Sequence, residues 1–375
     1  MNNSVERKME AANAFAVKGQ VKSCEPYGSG HINHTFRLLC EENGQEYAYI
    51  LQQMNQEVFK DIEGLMKNVK GVTSFLRRQI IENQGDPDRE TLNLVPTKSG
   101  KDYYQDSQGY FWRAYLFISQ ATCYNLVEKP EDFYQSGKAF GRFQCLLADF
   151  PADELTETIP NFHNTPSRFR DFERAVEADV MGRASQVQEE IRFIREREKE
   201  MGLALSLQSQ GKLPLRVSHN DTKLNNIMID DATGQALCII DLDTIMPGFS
   251  IFDYGDSIRF GANTAEEDEQ DLSKVSLSLP LFEIYTKGFL EGCEGRLTET
   301  EMEMLPYGAK MMTLECGMRF LADYLAGDVY FHVSRDGHNL DRCRTQLALV
   351  ADMERKWEEM GQIVKKYAAI HPQCQ

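Results

Sequence analysis

The stretch from Val217 to Thr244, VSHNDTKLNNIMIDDATGQALCIIDLDT, constrains the fold more than any other part of the chain. Two short apolar runs, Asn226–Asp230 and Ala236–Asp241, flank a turn containing Asp231 and Gly234, which is the pattern of a β-hairpin. His219, Asn220 and Asp221 stand just before the first run, Asp241 closes the second, and Asp243 follows it. A hairpin returns its second strand to where its first began, so Asp221, Asn226 and Asp241 are expected at one end. Phosphoryl transfer uses such a set. One carboxylate accepts the acceptor hydroxyl's proton, while an amide oxygen and a second carboxylate hold the magnesium that neutralises the phosphates. Asp and Asn also favour plain polar turns, so D-x-x-x-x-N alone says little. Here His, Asp, Asn and a strand-terminal Asp follow in order at hairpin spacing, with Phe252-Asp253-Tyr254-Gly255-Asp256 next, and the combination favours the chemistry.

A chain of 375 residues has room for one large domain or two lobes. The net charge of −17 argues against nucleic acid and against anionic membrane surfaces, both of which call for basic patches. It does not exclude ATP, because a phosphate site needs only local dipoles and cations. The opening MNNSVERKME has no apolar core of a signal peptide, and no apolar run reaches the length of roughly 18 residues that a membrane span requires. The nine cysteines are scattered, odd in number and never spaced C-x-x-C, which reads as reduced thiols in a cytoplasmic protein.

The first third reads as a small β-rich lobe. Gly28, Ser29, Gly30 and His31 lie in a turn ahead of an apolar strand, Phe36–Cys40, with Glu46–Gln52 as its partner. Glycines there let backbone N–H groups approach phosphates without a Cβ in the way, although G-x-G also marks ordinary turns. Val58, Ile62, Leu65, Met66, Val69, Val72, Leu76 and Ile80 recur at helical spacing. Glu63 on that helix either faces the phosphate-binding strand or is a solvated surface glutamate. Leu92–Pro96 and Tyr110–Ile118 read as strands, and the second runs into Ser119-Gln120-Ala121-Thr122, where a hinge is expected. From Lys129 on, helical patterns dominate, among them Asp268–Phe289, Thr300–Leu325 and Leu340–Lys366. The expected organisation is a β-rich lobe over 1–118, a hinge over 119–125 and a helical lobe over 126–375 that carries the hairpin.

Two later segments bear on the site. Asp253, in FDYGDSIR, is expected to hold the catalytic loop through hydrogen bonds rather than to act chemically. Gly317–Leu340 mixes Arg319, Asp323, Tyr324, Tyr330, Phe331, His338 and Asn339. Such a mixture suits a polyhydroxyl substrate, whose apolar faces are covered by rings and whose hydroxyls are fixed by polar groups. An amphipathic helix with ordinary salt bridges reads the same way.

D-x-x-x-x-N followed by a strand ending in Asp is the catalytic-loop pattern of kinase-like folds. H-N-D in place of H-R-D resembles the aminoglycoside phosphotransferase and choline kinase branch, which acts on small molecules. SHNDTKLNN, DLDTIMPG, FDYGDSIR, and RFLADYLAGDVYF followed by HNLDR are similar to the N-acetylhexosamine 1-kinase family of that superfamily, as are GSGHINHTF and ILQQMN. The likeness runs from near Tyr27 to near Gln346, and ILQQMN and the last two segments are its most specific parts. It implies an α+β, bilobal, protein-kinase-like (aminoglycoside phosphotransferase-like) fold. It also implies ATP- and magnesium-dependent phosphorylation of the anomeric hydroxyl of N-acetylglucosamine or N-acetylgalactosamine, in the salvage of amino sugars.

The expected roles follow. Asp221 takes or orients the C1 hydroxyl, Asn226 and Asp241 ligate magnesium, and Asp243 takes a second ion or bonds the sugar. Gly28, Ser29, Gly30 and His31 cover the phosphates; Arg319, Asp323 and Tyr324 contact the substrate. One departure stands out: the strand Tyr49–Gln53 offers no lysine for the phosphates, and Lys60 lies beyond it. Either magnesium and backbone N–H groups hold the triphosphate, or a cation reaches in from elsewhere. A kinase for choline, homoserine or an aminoglycoside, and a nucleotide-binding pseudokinase, remain alternatives; a protein kinase is disfavoured by the lack of H-R-D and A-P-E segments.

Overall fold

The computed structural model describes residues 2–28, 32–124, 127 and 129–374. They form two compact units, one of Met1–Thr122, Asp153–Ile159 and Met228–Met246, the other of Cys123–Ala152, Pro160–Ile227 and Pro247–Gln375.

The first unit is built on an antiparallel sheet. Its strands are β1 (Gln20–Pro26), β2 (His34–Glu42), β3 (Gln45–Gln53), β4 (Leu94–Val95), β5 (Tyr104–Gln105) and β6 (Phe111–Leu116), in the order β1-β2-β3-β6-β4, with β5 paired to β6. Asn43 and Gly44 join β2 to β3 at φ of 53° and 81°, the left-handed geometry that a two-residue hairpin turn demands. Alternate residues of the strands then bury one face: Leu38 and Cys40 of β2, Tyr49 and Leu51 of β3, Trp112 and Ala114 of β6, together with Ala11, Ala12 and Phe15 at the N-terminal end. Helix Ile62–Glu82 buries Leu65, Met66, Val69, Val72, Leu76 and Ile80. Its apolar spacing begins at Val58, but the helix begins after Asp61, whose carboxylate accepts from Gly64 N at 2.8 Å and caps it. Val58 is left exposed.

β7 (Ala121–Thr122), β8 (Arg216–Ser218), β9 (Ile227–Asp230), β10 (Ala236–Ile239) and β11 (Met246–Gly248) complete the strands; β9 lies between β10 and β7, and β8 pairs with β11. The hairpin anticipated around Gly234 is therefore β9–β10. It groups with the first unit, a different partition from the expected 126–375 lobe. The reason is hydrogen bonding: Thr122 pairs with Ile229 and Ala121 with Asp230, so β9 extends the chain that leaves the sheet. Asn68 of helix Ile62–Glu82 adds bonds to Thr156 O at 2.7 Å and Ile245 O at 2.9 Å.

The second unit is mostly helical. Helices Pro130–Leu146 and Leu279–Cys293 approach through glycines: a Cβ on Gly141 would stand 2.1 Å from Phe289 O, and one on Gly288 2.3 Å from Tyr134 O. The same device joins helix Ser250–Gly261 to helix Leu305–Ala326, where a Cβ on Gly255 would meet Gly308 O at 2.3 Å. FDYGDSIR is thus a helix, with every residue from Ser250 to Arg259 buried. The three long helical patterns read from the sequence are cut by caps. Asp268–Phe289 becomes Leu279–Cys293, opened by Ser278. Thr300–Leu325 becomes a short helix and Leu305–Ala326, and Leu340–Lys366 becomes His338–Arg355 and Trp357–Ile370.

Candidate active site

In the second unit, β8 delivers the chain into Ser218-His219-Asn220-Asp221. Asn220 holds φ at 65°, a left-handed conformation that costs a non-glycine residue energy and persists only when its surroundings fix it. Asp253 does so. Its Oδ1 accepts from Ser218 Oγ and Asn220 N, each at 2.8 Å, and its Oδ2 from His219 N at 2.8 Å and Gln144 Nε2 at 3.1 Å. Burial raises the Asp253 pKa from its ordinary value, and His219 and these donors pull the other way without cancelling it. Thr222 continues the lock, with Oγ1 donating to Asp253 O at 2.6 Å and N to Asp256 Oδ2 at 3.1 Å.

The loop thus fixed presents Asp221. Asn226 Nδ2 donates to Asp221 O at 2.9 Å and to Asp221 Oδ2 at 3.1 Å, so these two expected site residues are together. Lys223 Nζ lies 2.8 Å from Asp221 Oδ1. Burial works against the Lys223 charge, but Asp221 and Asp256 outweigh it, and its pKa ends raised. The sequence reading missed this lysine, although its place two residues beyond Asp221 was visible.

Beside the loop, His163 bridges Glu315 Oε1 at 2.8 Å and Asn220 O at 3.4 Å, and Thr165 Oγ1 donates to Glu315 Oε2 at 2.7 Å. Burial would raise the Glu315 pKa, but these partners, His163 foremost, hold it below the usual value. Arg319, one turn along the same helix, has its guanidinium over the rings of Phe331 at 5.4 Å, Tyr330 at 5.7 Å and Phe162 at 5.9 Å.

Asp323 and Tyr324 sit differently from a substrate contact. The Asp323 carboxylate accepts from the N–H groups of Val329 (3.0 Å), Tyr330 (2.8 Å) and Phe331 (2.9 Å) and from Asn339 Nδ2 (2.9 Å). Four donors fill the lone pairs of a carboxylate, so Asp323 anchors the loop that carries the two rings. Tyr324 is buried, with the Arg183 guanidinium 4.4 Å above its ring.

In the first unit, β10 runs into Asp241, which takes φ 58° and ψ 58° at the head of the turn Leu242–Thr244. Asp243, expected as a second metal ligand or sugar contact, is buried against Arg113 of β6 in an ion pair, and Asn33 Nδ2 donates to its Oδ2 at 2.6 Å. Arg113 Nε donates to Gln52 Oε1 at 2.9 Å, across the β3–β6 register that sets those two residues opposite each other. Burial disfavours the Arg113 charge, yet Asp243, with Tyr115 and Asp241, more than restores it, and the pKa of the guanidinium ends raised. Glu63 is exposed, and the polar residues buried on its helix are Asn68 and Thr73. Gly28 has φ +79° and open space where a Cβ would stand. Ser29, Gly30 and His31 lie outside the described residues.

Residues 23–276, more than half of the chain, match the phosphotransferase enzyme family, APH. The chain belongs to that family. It is accordingly a phosphotransferase, a kinase by class. The structure of this phosphotransferase is similar to that of an aminoglycoside phosphotransferase from Alicyclobacillus acidocaldarius, with a TM-score of 0.57, 12% identity, and 95% and 96% of the two chains covered. It is also similar to a microcompartment-associated aminopropanol kinase (TM-score 0.55, 15% identity, 96% and 98% covered). A third similar structure is a spectinomycin phosphotransferase in complex with ADP and spectinomycin (0.50, 14%, 91% and 94%). These likenesses establish the α+β protein-kinase-like fold. No described helix is long and apolar enough to cross a membrane.

The donor set of this phosphotransferase fits magnesium. Among the described residues no group of three or more His, Cys, Asp or Glu side chains forms a metal cage. Magnesium is held in kinases by one or two carboxylates, waters and the substrate's own phosphates, so a dedicated cage is not what it needs. Asn226, at the foot of β9, and Asp241, beyond β10, each carry a side-chain oxygen of the hard kind that magnesium takes.

Proposed function

We propose that this phosphotransferase moves the γ-phosphoryl group of ATP, with magnesium, to the anomeric C1 hydroxyl of N-acetylglucosamine or N-acetylgalactosamine. Asp221 accepts the hydroxyl proton as the C1 oxygen attacks the γ-phosphorus; the bond to the bridging oxygen breaks, and ADP leaves. Lys223 steers the Asp221 carboxylate. Asn226 and Asp241 hold the magnesium, whose chemistry when bound is to neutralise phosphate charge. The glycine-rich sequence assigns Gly28, Ser29, Gly30 and His31 to the phosphates. The nucleotide assignment is supported by the ADP of the similar spectinomycin phosphotransferase. The nine free cysteines agree with a reducing, cytoplasmic setting.

The observation that carries the neutral sugar is the environment of Arg319. A cationic acceptor such as choline or an aminoglycoside calls for bare aromatic faces or free carboxylates. Here an arginine already occupies the faces of Phe162, Tyr330 and Phe331, while Glu315 is paired with His163 and Asp323 is filled by backbone donors. The cation repels another cation but can donate to an acetamido oxygen or a ring hydroxyl, and the rings suit the apolar faces of a sugar. We therefore assign Arg319 to substrate recognition and give Asp323 and Tyr324 the role of shaping its surroundings.

The test is ADP release over a panel of acceptors. Turnover is expected with N-acetylglucosamine or N-acetylgalactosamine, and none with the methyl glycoside of N-acetylglucosamine, which lacks the free C1 hydroxyl. Little is expected with glucose, which leaves a pocket built for the amide with unpaired polar groups. A methyl glycoside phosphorylated at a comparable rate removes the anomeric assignment, and preferred turnover of choline or an aminoglycoside removes the sugar.

A further inference from the structure

Kinases of this fold place a lysine on the third strand and pair it with a glutamate from the following helix. Both partners are missing here. β3 ends Gln52-Gln53, and Glu63 points outward while Asn68 faces in. A fixed cation is nevertheless present, one strand away. Arg113 stands opposite Gln52 in the β3–β6 register, is 1% exposed, and bonds Gln52 with one edge and Asp243 with the other. Asp243 lies two residues beyond Asp241, in the turn Leu242–Thr244 that Asp241 opens.

We propose that Arg113 is the fixed counter-charge of Asp243 and stands where a second metal ion would otherwise be held, so that the enzyme works with one divalent ion, bound at Asp241. The inference rests on the kinase reading above. A guanidinium that is desolvated, held by both Gln52 and Asp243, and always charged neutralises Asp243 permanently, which a weakly held magnesium does only in part. Asn33 Nδ2 satisfies the second oxygen of Asp243, and Asn33 Oδ1 in turn accepts from Asn55 N at 3.0 Å. The carboxylate is therefore oriented from both sides before nucleotide arrives. A metal ion at Asp243 would have to displace a buried guanidinium and leave it without a counter-charge, which is strongly unfavourable. Arg113 is a positioning residue: it acts on the nucleotide through Asp243 and the turn Leu242–Thr244.

The test counts ions. The wild-type protein, saturated with a non-hydrolysable ATP analogue, is titrated with Mn²⁺ and followed by electron paramagnetic resonance, alongside Arg113→Met and the neutral double variant Arg113→Met/Asp243→Asn. One ion per protein is expected for the wild type and for the double variant. Arg113→Met frees Asp243 and is expected to take a second ion, with turnover lost at low magnesium and partly recovered at high magnesium. The double variant, which has no unpaired buried charge, is expected to fold and to turn over about 10²-fold more slowly at every magnesium concentration. Two ions in the wild type overturn the inference, even if Arg113→Met does not fold. So does a double variant with wild-type turnover and magnesium dependence, which would make the pair purely structural. A wild type that binds no analogue removes the kinase reading and this inference with it, whereas analogue bound with two ions removes this inference alone.

Discussion

Asp253 and Asp323 each accept four hydrogen bonds from groups of their own unit, and Asp221 is left with Asn226 and Lys223. The difference separates carboxylates that hold backbone from one that is presented for chemistry. Asp221→Asn keeps shape and size but cannot take a proton. We expect a folded protein with nucleotide-induced thermal stabilisation intact and turnover lowered about 10²–10⁴-fold. Turnover near wild type would take the base role away from Asp221. Asp323→Asn puts an NH₂ group against backbone donors and slackens Val329–Phe331, which carries two of the rings around Arg319. Losing charge-assisted bonds costs about 1.5–3 kcal/mol. The acceptor KM is expected to rise about tenfold, which corresponds to roughly 1.4 kcal/mol, while the KM for ATP stays put. An equal rise in both would place the effect elsewhere than the acceptor side.

Among the elements, helix Ser250–Gly261 ties the loop to the rest of its unit. Asp253 and Asp256 sit one turn apart on it, and both bond residues of the catalytic loop. The helix stays close to Leu305–Ala326 because Gly255 faces the backbone of Gly308, and Gly308 that of Ile251. The pair Pro130–Leu146 and Leu279–Cys293 depends on glycine in the same way. Gly141→Ala would set a Cβ against a carbonyl oxygen rather than a flexible side chain, so one helix has to move. Overpacking of this kind costs about 1–3 kcal/mol. Chemical denaturation is expected to show a lower midpoint at unchanged slope, and a midpoint within error of wild type would mean that the helices separate freely. Gln144, on the first helix of this pair, bonds Asp253, so the strain also reaches the catalytic loop.

At the scale of the whole molecule, stability responds to acid through buried carboxylates with several donors. Asp352 accepts from Leu277 N at 2.7 Å, Ser276 Oγ at 2.8 Å, Lys356 Nζ at 2.8 Å and Arg355 Nη2 at 2.8 Å. Burial works to raise its pKa, but these partners bring it down to about 2. A depressed carboxylate adds stability that is present above its unfolded pKa, near 4, and is lost as pH falls toward 2. Asp352→Asn should therefore be less stable than wild type at pH 7 by about 2 kcal/mol, and the gap should close as the pH drops below about 4. Urea midpoints of both proteins at neutral and acid pH check this; a gap that persists unchanged into acid would mean the cost is steric rather than ionic.

The sequence by itself determined whatever depends on near neighbours in the chain. The β9–β10 hairpin, the Asp221–Asn226 pair and the apolar face of Ile62–Glu82 all follow from spacing and turn chemistry within short stretches, where local geometry leaves few choices. The holding role of Asp253 was legible too, because a polar loop needs its N–H groups paired. Tertiary structure decided the rest. Helix Ser250–Gly261 is buried on all sides from Ser250 to Arg259, so those residues carry no two-sided pattern to read. Asp323 looked like a substrate residue until its loop was seen to fold back and fill it with donors. Arg113, a lone charge in the apolar run YFWRAYLFI, was visible as an oddity but not as a partner of Asp243, because the pairing depends on which strand lies beside β3. Composition and spacing specify which polar groups a chain must bury; only the packed sheet specifies which charge each of them meets.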